Sequence, residues 1–187
     1  MTRVTVVFHS GYGHTKKVAE AVHAGAASVV GVEASLIDVT QVGDAQWAEL
    51  ERADAIVFGA PTYMGGPSAE FKKFADASSA KAWFAQAWKD KIAGGFTCSL
   101  NMSGDKFSTL MYFVTLSMQH GMVWVGLGQR PERVGDPSAQ NRLGSYLGVM
   151  AQADNVPPDQ SPPSGDLETG RSYGRRIAEH AKRMRRG

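Results

Sequence analysis

Apolar positions along the chain fall into short runs divided by polar and glycine-rich punctuation. Val4-Thr-Val-Val-Phe8 is a β-branched and aromatic run ending in polar and glycine residues, the pattern of a buried strand that enters a tight turn. Within Thr15 to Val29, Val18, Ala19, Val22 and Ala26 recur at helical spacing, so strand, loop and helix follow one another. Val32 to Val39 alternates apolar and polar residues as a second strand, and Trp47 to Ala53 reads as a short helix. Ala55-Ile-Val-Phe-Gly59 is a continuous apolar run, as expected for a central strand buried on both faces. Pro61-Thr-Tyr-Met-Gly-Gly-Pro67 carries two prolines and two glycines and is expected to be a loop. Ser68 then stands where it would cap a helix with Phe71 and Phe74 inward and Lys72 and Lys73 outward.

The alternation continues through an amphipathic piece over residues 80 to 90, with Trp83, Phe84 and Trp88, and a strand of small residues, Ile92 to Cys98. Phe107 to Met118 reads as a helix with Leu110, Val114 and Met118 on its apolar side, and Met122-Val-Trp-Val125 as the fifth strand. From Gly128 to Thr169 the periodicity fades into Pro, Gly, Asp, Gln and Ser, which predicts a long loop at 128–169 that covers the site or makes an oligomer contact. Within it, Asn141-Arg-Leu-Gly-Ser-Tyr-Leu-Gly148 is specific enough to be ordered. Gly170 to Met184 closes the chain as a helix, with Tyr173, Ile177 and Ala181 four residues apart. Strands alternating with helices predict a parallel sheet covered on both faces, joined by right-handed crossovers, in a single domain over 1–187.

Composition narrows the class. Of 187 residues, 43% are apolar and 20% charged, the profile of a globular protein. No apolar run approaches the ~20 residues of a membrane span, so membrane insertion is not expected. Met1 to His9 reads as a strand rather than a secretory segment, and the single Cys98 fits a reducing compartment, so a cytoplasmic location is expected. The net charge is +2, with cations gathered in Arg171, Arg175, Arg176, Lys182, Arg183, Arg185 and Arg186. Cations near the end of a helix complement its dipole, and no nucleic-acid partner is expected.

Ligands of open parallel sheets sit beyond the carboxyl ends of the strands. The loop after the first strand, His9-Ser-Gly-Tyr-Gly-His-Thr15, offers hydroxyls, two glycines and backbone N–H groups leading into a helix N-terminus, the parts of a phosphate cradle. Walker spacing is absent, and Lys16 occupies the third position of the dinucleotide glycine pattern, so a nucleoside triphosphate or a tightly held dinucleotide is disfavoured. The alternative is an ordinary capped turn. Tyr63 and Met64 in the 61–67 segment are placed to flank a planar ligand. In Ser99-Leu-Asn-Met-Ser-Gly-Asp105, the polar groups and Gly104 suit contacts with carbonyl and ring-nitrogen atoms. No cluster with metal-ligand spacing appears, and no metal is expected.

Together, Ser10-x-Tyr-Gly-His-Thr15, Phe58-Gly-x-Pro-Thr62 with Gly65, the Phe71-Lys-Lys-Phe74 helix and His120-Gly-Met122 before an apolar strand resemble the flavodoxin-like family of NAD(P)H:quinone oxidoreductases, of the tryptophan-repressor-binding-protein (WrbA) type. The resemblance covers the whole chain. It implies a flavodoxin-like three-layer α/β/α sandwich whose five parallel strands run in the order 2-1-3-4-5. It implies FMN, with Ser10, Tyr12, Gly13, His14 and Thr15 around the phosphate. Pro61, Thr62, Tyr63, Met64, Gly65, Ser99, Leu100 and Asn101 would then border the isoalloxazine. His120 corresponds to the family histidine near the flavin, often supplied across a subunit contact, although a lone histidine at a helix end is equally a structural residue.

The activity implied is two-electron, ping-pong transfer from NAD(P)H, a transient donor, through the flavin to a quinone-type acceptor, with His120 or Tyr63 donating to the quinone oxygen. A homodimer or homotetramer is the implied assembly. The chain departs from the family at Met64, where an aromatic is usual, and in the Ser99 to Gly104 loop. It also lacks the insertion between Val39 and Asp54 that supports tetramers. Rival readings are a one-electron flavodoxin carrier, an FMN, nitro or azo reductase on the same scaffold, and a flavin-binding regulator. A sequence pI near 8.7 argues against an acidic carrier.

Overall fold

In a computed structural model, which describes residues 1–185, the β-branched run of Thr2–Phe8 forms β1, an inner strand of a parallel sheet. β1 pairs with β2 (Val32–Asp38) on one side and with β3 (Ala55–Tyr63) on the other, in register Val4 to Ala55 and Phe8 to Gly59. β3 pairs in parallel with β5 (Ile92–Ser99) after a two-residue excursion, β4 (Gly66–Pro67). The outer edge is shared by two short strands: β6 (Val123–Trp124) pairs with Ile92 and Ala93, and β7 (Val149–Gln152) pairs with Phe96 to Ser99. The order β2-β1-β3-β5-β6 is the expected 2-1-3-4-5, renumbered for the hairpin strand β4 and with the last position split.

Helix α1 (His14–Ala27) and helix α5 (Ser164–Met184) cover one face, where Val18, Val22, Tyr173 and Ile177 pack on Val4, Val6, Val57 and Phe96. These helices cross so closely that a Cβ on Gly174 would lie 1.9 Å from the carbonyl of Val22, which only glycine permits. The other face is covered by α2 (Asp44–Arg52), α3 (Ala69–Ser78) and α4 (Lys106–Gln119), over an aromatic cluster of Phe58, Phe71, Phe74, Trp88 and Phe113. Phe71 and Phe113 approach to 4.8 Å between ring centres. Residues 80–90 begin as one π-helical turn, Ser79–Trp83.

Four expectations are corrected. Pro61 to Tyr63 is not loop but the end of β3, and Met64-Gly65 is a hairpin turn with φ of 48° and 81°. Proline is tolerated there because β1 ends opposite Gly59, which leaves that side of β3 unpaired. Ser68 stands at the N-terminus of α3 without capping it, because its hydroxyl is bonded to His9 Nδ1 at 2.8 Å. The 128–169 segment is not one loop, since it contains β7 and the first six residues of α5, which starts at Ser164 rather than Gly170. Gly165 lets α5 approach within contact of Ala139, whose carbonyl would lie 2.2 Å from a Cβ. The fifth strand shrinks from Met122–Val125 to two residues, because the chain leaves the edge and returns as β7.

Tyr173 bridges the gap between β6 and β7, its hydroxyl donating to the Val125 carbonyl (2.5 Å) and accepting from the Gly95 N–H (3.2 Å). Cations of α5 and its C-cap are fastened to the body: Arg176 Nε donates to Gly126 O (3.0 Å), Lys182 Nζ to Val30 O (2.6 Å), and the capping Arg185 to Met1 O. Arg186 lies outside the described residues. Among the described residues no helix is long and apolar enough to cross a membrane.

Candidate functional site

The carboxyl ends of β1, β3, β5 and β7 surround a cleft of about 380 Å³, within the range of small-molecule sites. Its floor is the turn from β1 into α1. Ser10 Oγ accepts from the N–H groups of Gly13 and Lys16, both at 3.1 Å, and Gly13 takes φ 92°. Among the described residues the N–H groups of Gly11, Tyr12, His14 and Thr15 have no protein partner. No acidic residue stands in the first turn of α1. Unpaired N–H groups at a helix N-terminus make an anion site, so the loop fits a phosphate.

Tyr63 stands at 39% exposure beside this floor, with Tyr12 edge-on to it at 6.3 Å, and its hydroxyl lies over Gly11. Burial first, then Tyr12, holds its hydroxyl above the ordinary phenol value and keeps it a donor. Leu100 and Ser99 form the opposite wall, with Cys98 beneath them. Burial pushes the Cys98 thiol up to about 12, so it stays neutral.

Seven of the residues expected at the site line the cleft: Tyr12, His14, Thr15, Pro61, Tyr63, Ser99 and Leu100. Ser10 and Gly13 shape the floor from within the loop. Six others do not line it, and each has a physical reason. The Thr62 hydroxyl is buried between those of Thr97 and Thr109, 2.8 Å from each. Met64 and Gly65 form the exposed tip of the hairpin. Asn101 offers its carbonyl to Lys106 at 2.7 Å, and Gly104 packs against Ser99 Oγ in the turn before α4.

His120 stands apart from this chain's own cleft. It ends α4 ahead of β6, at the amino ends of the strands and on the side away from the cleft. It is 6% exposed, with Nε2 at 2.9 Å from Ser78 Oγ and its ring 4.3 Å from that of Trp88. Burial lowers its pKa and favours the neutral ring.

The sequence reading missed the roof. Beyond β7, residues 153–158 close the cleft: His14 donates from Nε2 to Val156 O (2.7 Å), and Pro158 sits against Gly13. Asn155-Val-Pro-Pro158 is the signal that could have found it, a rigid turn just past a strand end. Lys106 and Gln152, which hold the 99–102 loop from behind, were missed as well.

A flavodoxin-domain family model matches residues 5–124. The chain belongs to the flavodoxin family. This flavodoxin-like flavoprotein is 43% identical to flavodoxin FldP of Pseudomonas aeruginosa, over 98% of this chain and 99% of that one. It is 32% identical to an NAD(P)H dehydrogenase (quinone) of Syntrophobacter fumaroxidans, over 98% and 99% of the two chains. Among solved structures, the flavodoxin, WrbA-like protein from Agrobacterium tumefaciens superposes with a TM-score of 0.79 at 45% identity, covering 98% of this chain and 99% of that one.

Proposed function

We propose that this flavodoxin-family protein binds FMN and is an oxidoreductase that passes electrons from NAD(P)H to a quinone-type acceptor. The observation that carries the reading is the cleft itself, where four N–H groups without a protein partner among the described residues floor a mostly apolar pocket at the carboxyl ends of the strands. Bound FMN would supply the two-electron exchange between hydride donor and quinone. The chain's part is to bind and orient. The Ser10 to Thr15 loop takes the phosphate, Tyr63 and Leu100 flank the ring, and the 153–158 roof keeps water from the phosphate end. Tyr63, held protonated, is the group of this cleft that donates to an acceptor oxygen.

Two further features support the reading. Asp154 is the single carboxylate among the lining residues, and its Oδ1 is already held by Gln152 Nε2 at 2.9 Å, so the rim is not the acidic surface of a carrier. The free thiol of Cys98 suits a reducing compartment, the cytoplasm. For the assembly we take a second copy of the chain, docked on α4. Residues 107–119 hold no charge, and Phe107, Met111 and Met118 are exposed on one face beside Trp83 and Phe84. An apolar face without charge does not repel itself across a two-fold axis.

A second reading, a one-electron carrier, is favoured by the likeness to flavodoxin FldP over nearly the full length of both chains. Steady-state oxidation of NADH and NADPH with benzoquinone, on protein loaded with FMN, separates the two. Turnover supports the oxidoreductase. No turnover together with two well-separated one-electron potentials sinks it in favour of the carrier, and failure to take up FMN sinks both.

A further inference from the structure

Lys106 opens helix α4 and is fully buried, yet no carboxylate lies within ion-pair distance of it among the described residues. Its Nζ is spent on the loop after β5, donating to Asn101 O at 2.7 Å, Met102 O at 2.8 Å and Ser99 Oγ at 3.0 Å. The next carbonyl back, that of Leu100, is taken from the other side by Gln152 Nε2 at 3.0 Å. Three consecutive carbonyls of the cleft-side loop are therefore engaged by side chains behind it. The N–H groups of Leu100, Asn101 and Met102 have no protein partner among the described residues. A peptide whose carbonyl is held by a cation and whose N–H is free presents its positive end to whatever approaches.

We propose that Lys106 and Gln152 are positioning residues for the flavin, which hold the 99–102 loop so that the free N–H at Leu100, the one of the three residues that lines the cleft, is offered to the electron-rich edge of the ring. The inference rests on the FMN reading above. Gln152 is itself fixed: its N–H donates to Asp166 Oδ2 (2.9 Å) and its Oε1 accepts from Arg142 Nη2 (3.0 Å), which ties the inserted segment to the cleft. Stability alone does not account for Lys106, because a buried cation without a counter-charge is costly where an apolar side chain of similar size would fill the space. Burial brings its amine down to about 8. The ionisable groups facing it are Cys98 of β5, Asp166 of α5 and Arg142 of the inserted segment. Cys98, pushed up to about 12, stays neutral near pH 8, and Arg142 and Asp166 stay paired with each other.

The test uses the full-length apoprotein and Lys106→Met and Gln152→Leu variants, titrated with FMN and, separately, with riboflavin, followed by dye-equilibrated midpoint potentials of the loaded proteins. Lys106→Met is expected to raise the Kd tenfold or more for both ligands, since the loop serves the ring and not the phosphate. It should also lower the midpoint potential, because the donor that favours the reduced ring is no longer held. Gln152→Leu should move both quantities in the same direction by a smaller factor. Wild-type Kd should rise as pH passes about 8, where the Lys106 amine loses its proton. The Lys106→Met profile should be flat over that step.

Wild-type protein that takes up neither flavin would overturn the FMN reading itself. Wild-type binding with unchanged Kd, potential and pH profile in both variants would overturn this inference and leave the FMN reading standing. If Lys106→Met does not fold, Gln152→Leu decides by the same Kd and potential.

Discussion

At the scale of single residues, Gly13 joins floor and roof. It holds φ 92°, and a Cβ there would lie 2.9 Å from Pro158 Cγ. Gly13→Ala should cost about 1–2 kcal/mol for the left-handed backbone alone and push residues 156–158 off the loop. Thermal unfolding should show the loss and an FMN titration a weakened Kd, whereas unchanged binding would mean that roof and cradle act independently. His120 gives a pH signature. Its pKa is lowered in the fold, so the unfolded chain binds its proton first as pH falls below about 6.5, and stability should fall from there. His120→Gln should remove that part of the acid loss between pH 7 and 5 while leaving FMN affinity unchanged. His180, also lowered, remains in both proteins as the common background. The sequence offered two readings of a histidine at a helix end, and nothing in its neighbours chose between them. Its contacts within the chain, the ring of Trp88 and the hydroxyl of Ser78, lie 32 and 42 positions away.

At the scale of elements, the inserted segment between β6 and β7 is held by one buried ion pair. Arg142 Nε and Nη2 meet Asp166 Oδ1 and Oδ2 at 2.8 and 3.1 Å, with side-chain exposures of 3% and 2%. Burial acts first on Asp166 and raises its pKa, with Arg142 opposing. Removing one partner strands the other, so Arg142→Met should destabilise by about 3–5 kcal/mol in urea unfolding. Arg142→Met with Asp166→Leu should recover most of that, and no recovery would show that the pair acts through Gln152 instead. The order of 141–148 was readable from its specific polar pattern. Strand β7 was not, because four residues leave no room for a period and its pairing with β5 joins residues 53 positions apart, as Phe96 with Val149. Likewise the hairpin at 64–65 hid behind Pro61, whose place on a strand is allowed only because β1 stops short.

At the scale of the whole molecule, the uncharged face of α4 gives the assembly prediction. Phe107, Trp83 and Phe84 are 59%, 47% and 75% exposed, so about half to three quarters of the ~150–250 Å² of each ring is left to bury, part of the ~800 Å² per partner of a stable interface. Light scattering after gel filtration should give a dimer, and Met111→Lys with Met118→Lys a folded monomer with FMN affinity retained. A wild-type monomer at micromolar concentration would remove the interface. What the sequence by itself determined is the alternation of buried strands with amphipathic helices, hence the layered fold, and the Ser10 to Thr15 cradle. Both are local, since a strand run, its turn and the first helical N–H groups lie within fifteen residues of one another. What only the tertiary structure decided is the rest of the cleft: the roof at 153–158, the Lys106 and Gln152 hold on the 99–102 loop, and the turning of the Thr62 hydroxyl onto Thr97 and Thr109. These depend on which strand ends meet at one edge of the sheet and which way each side chain faces there, and no spacing along the chain encodes that.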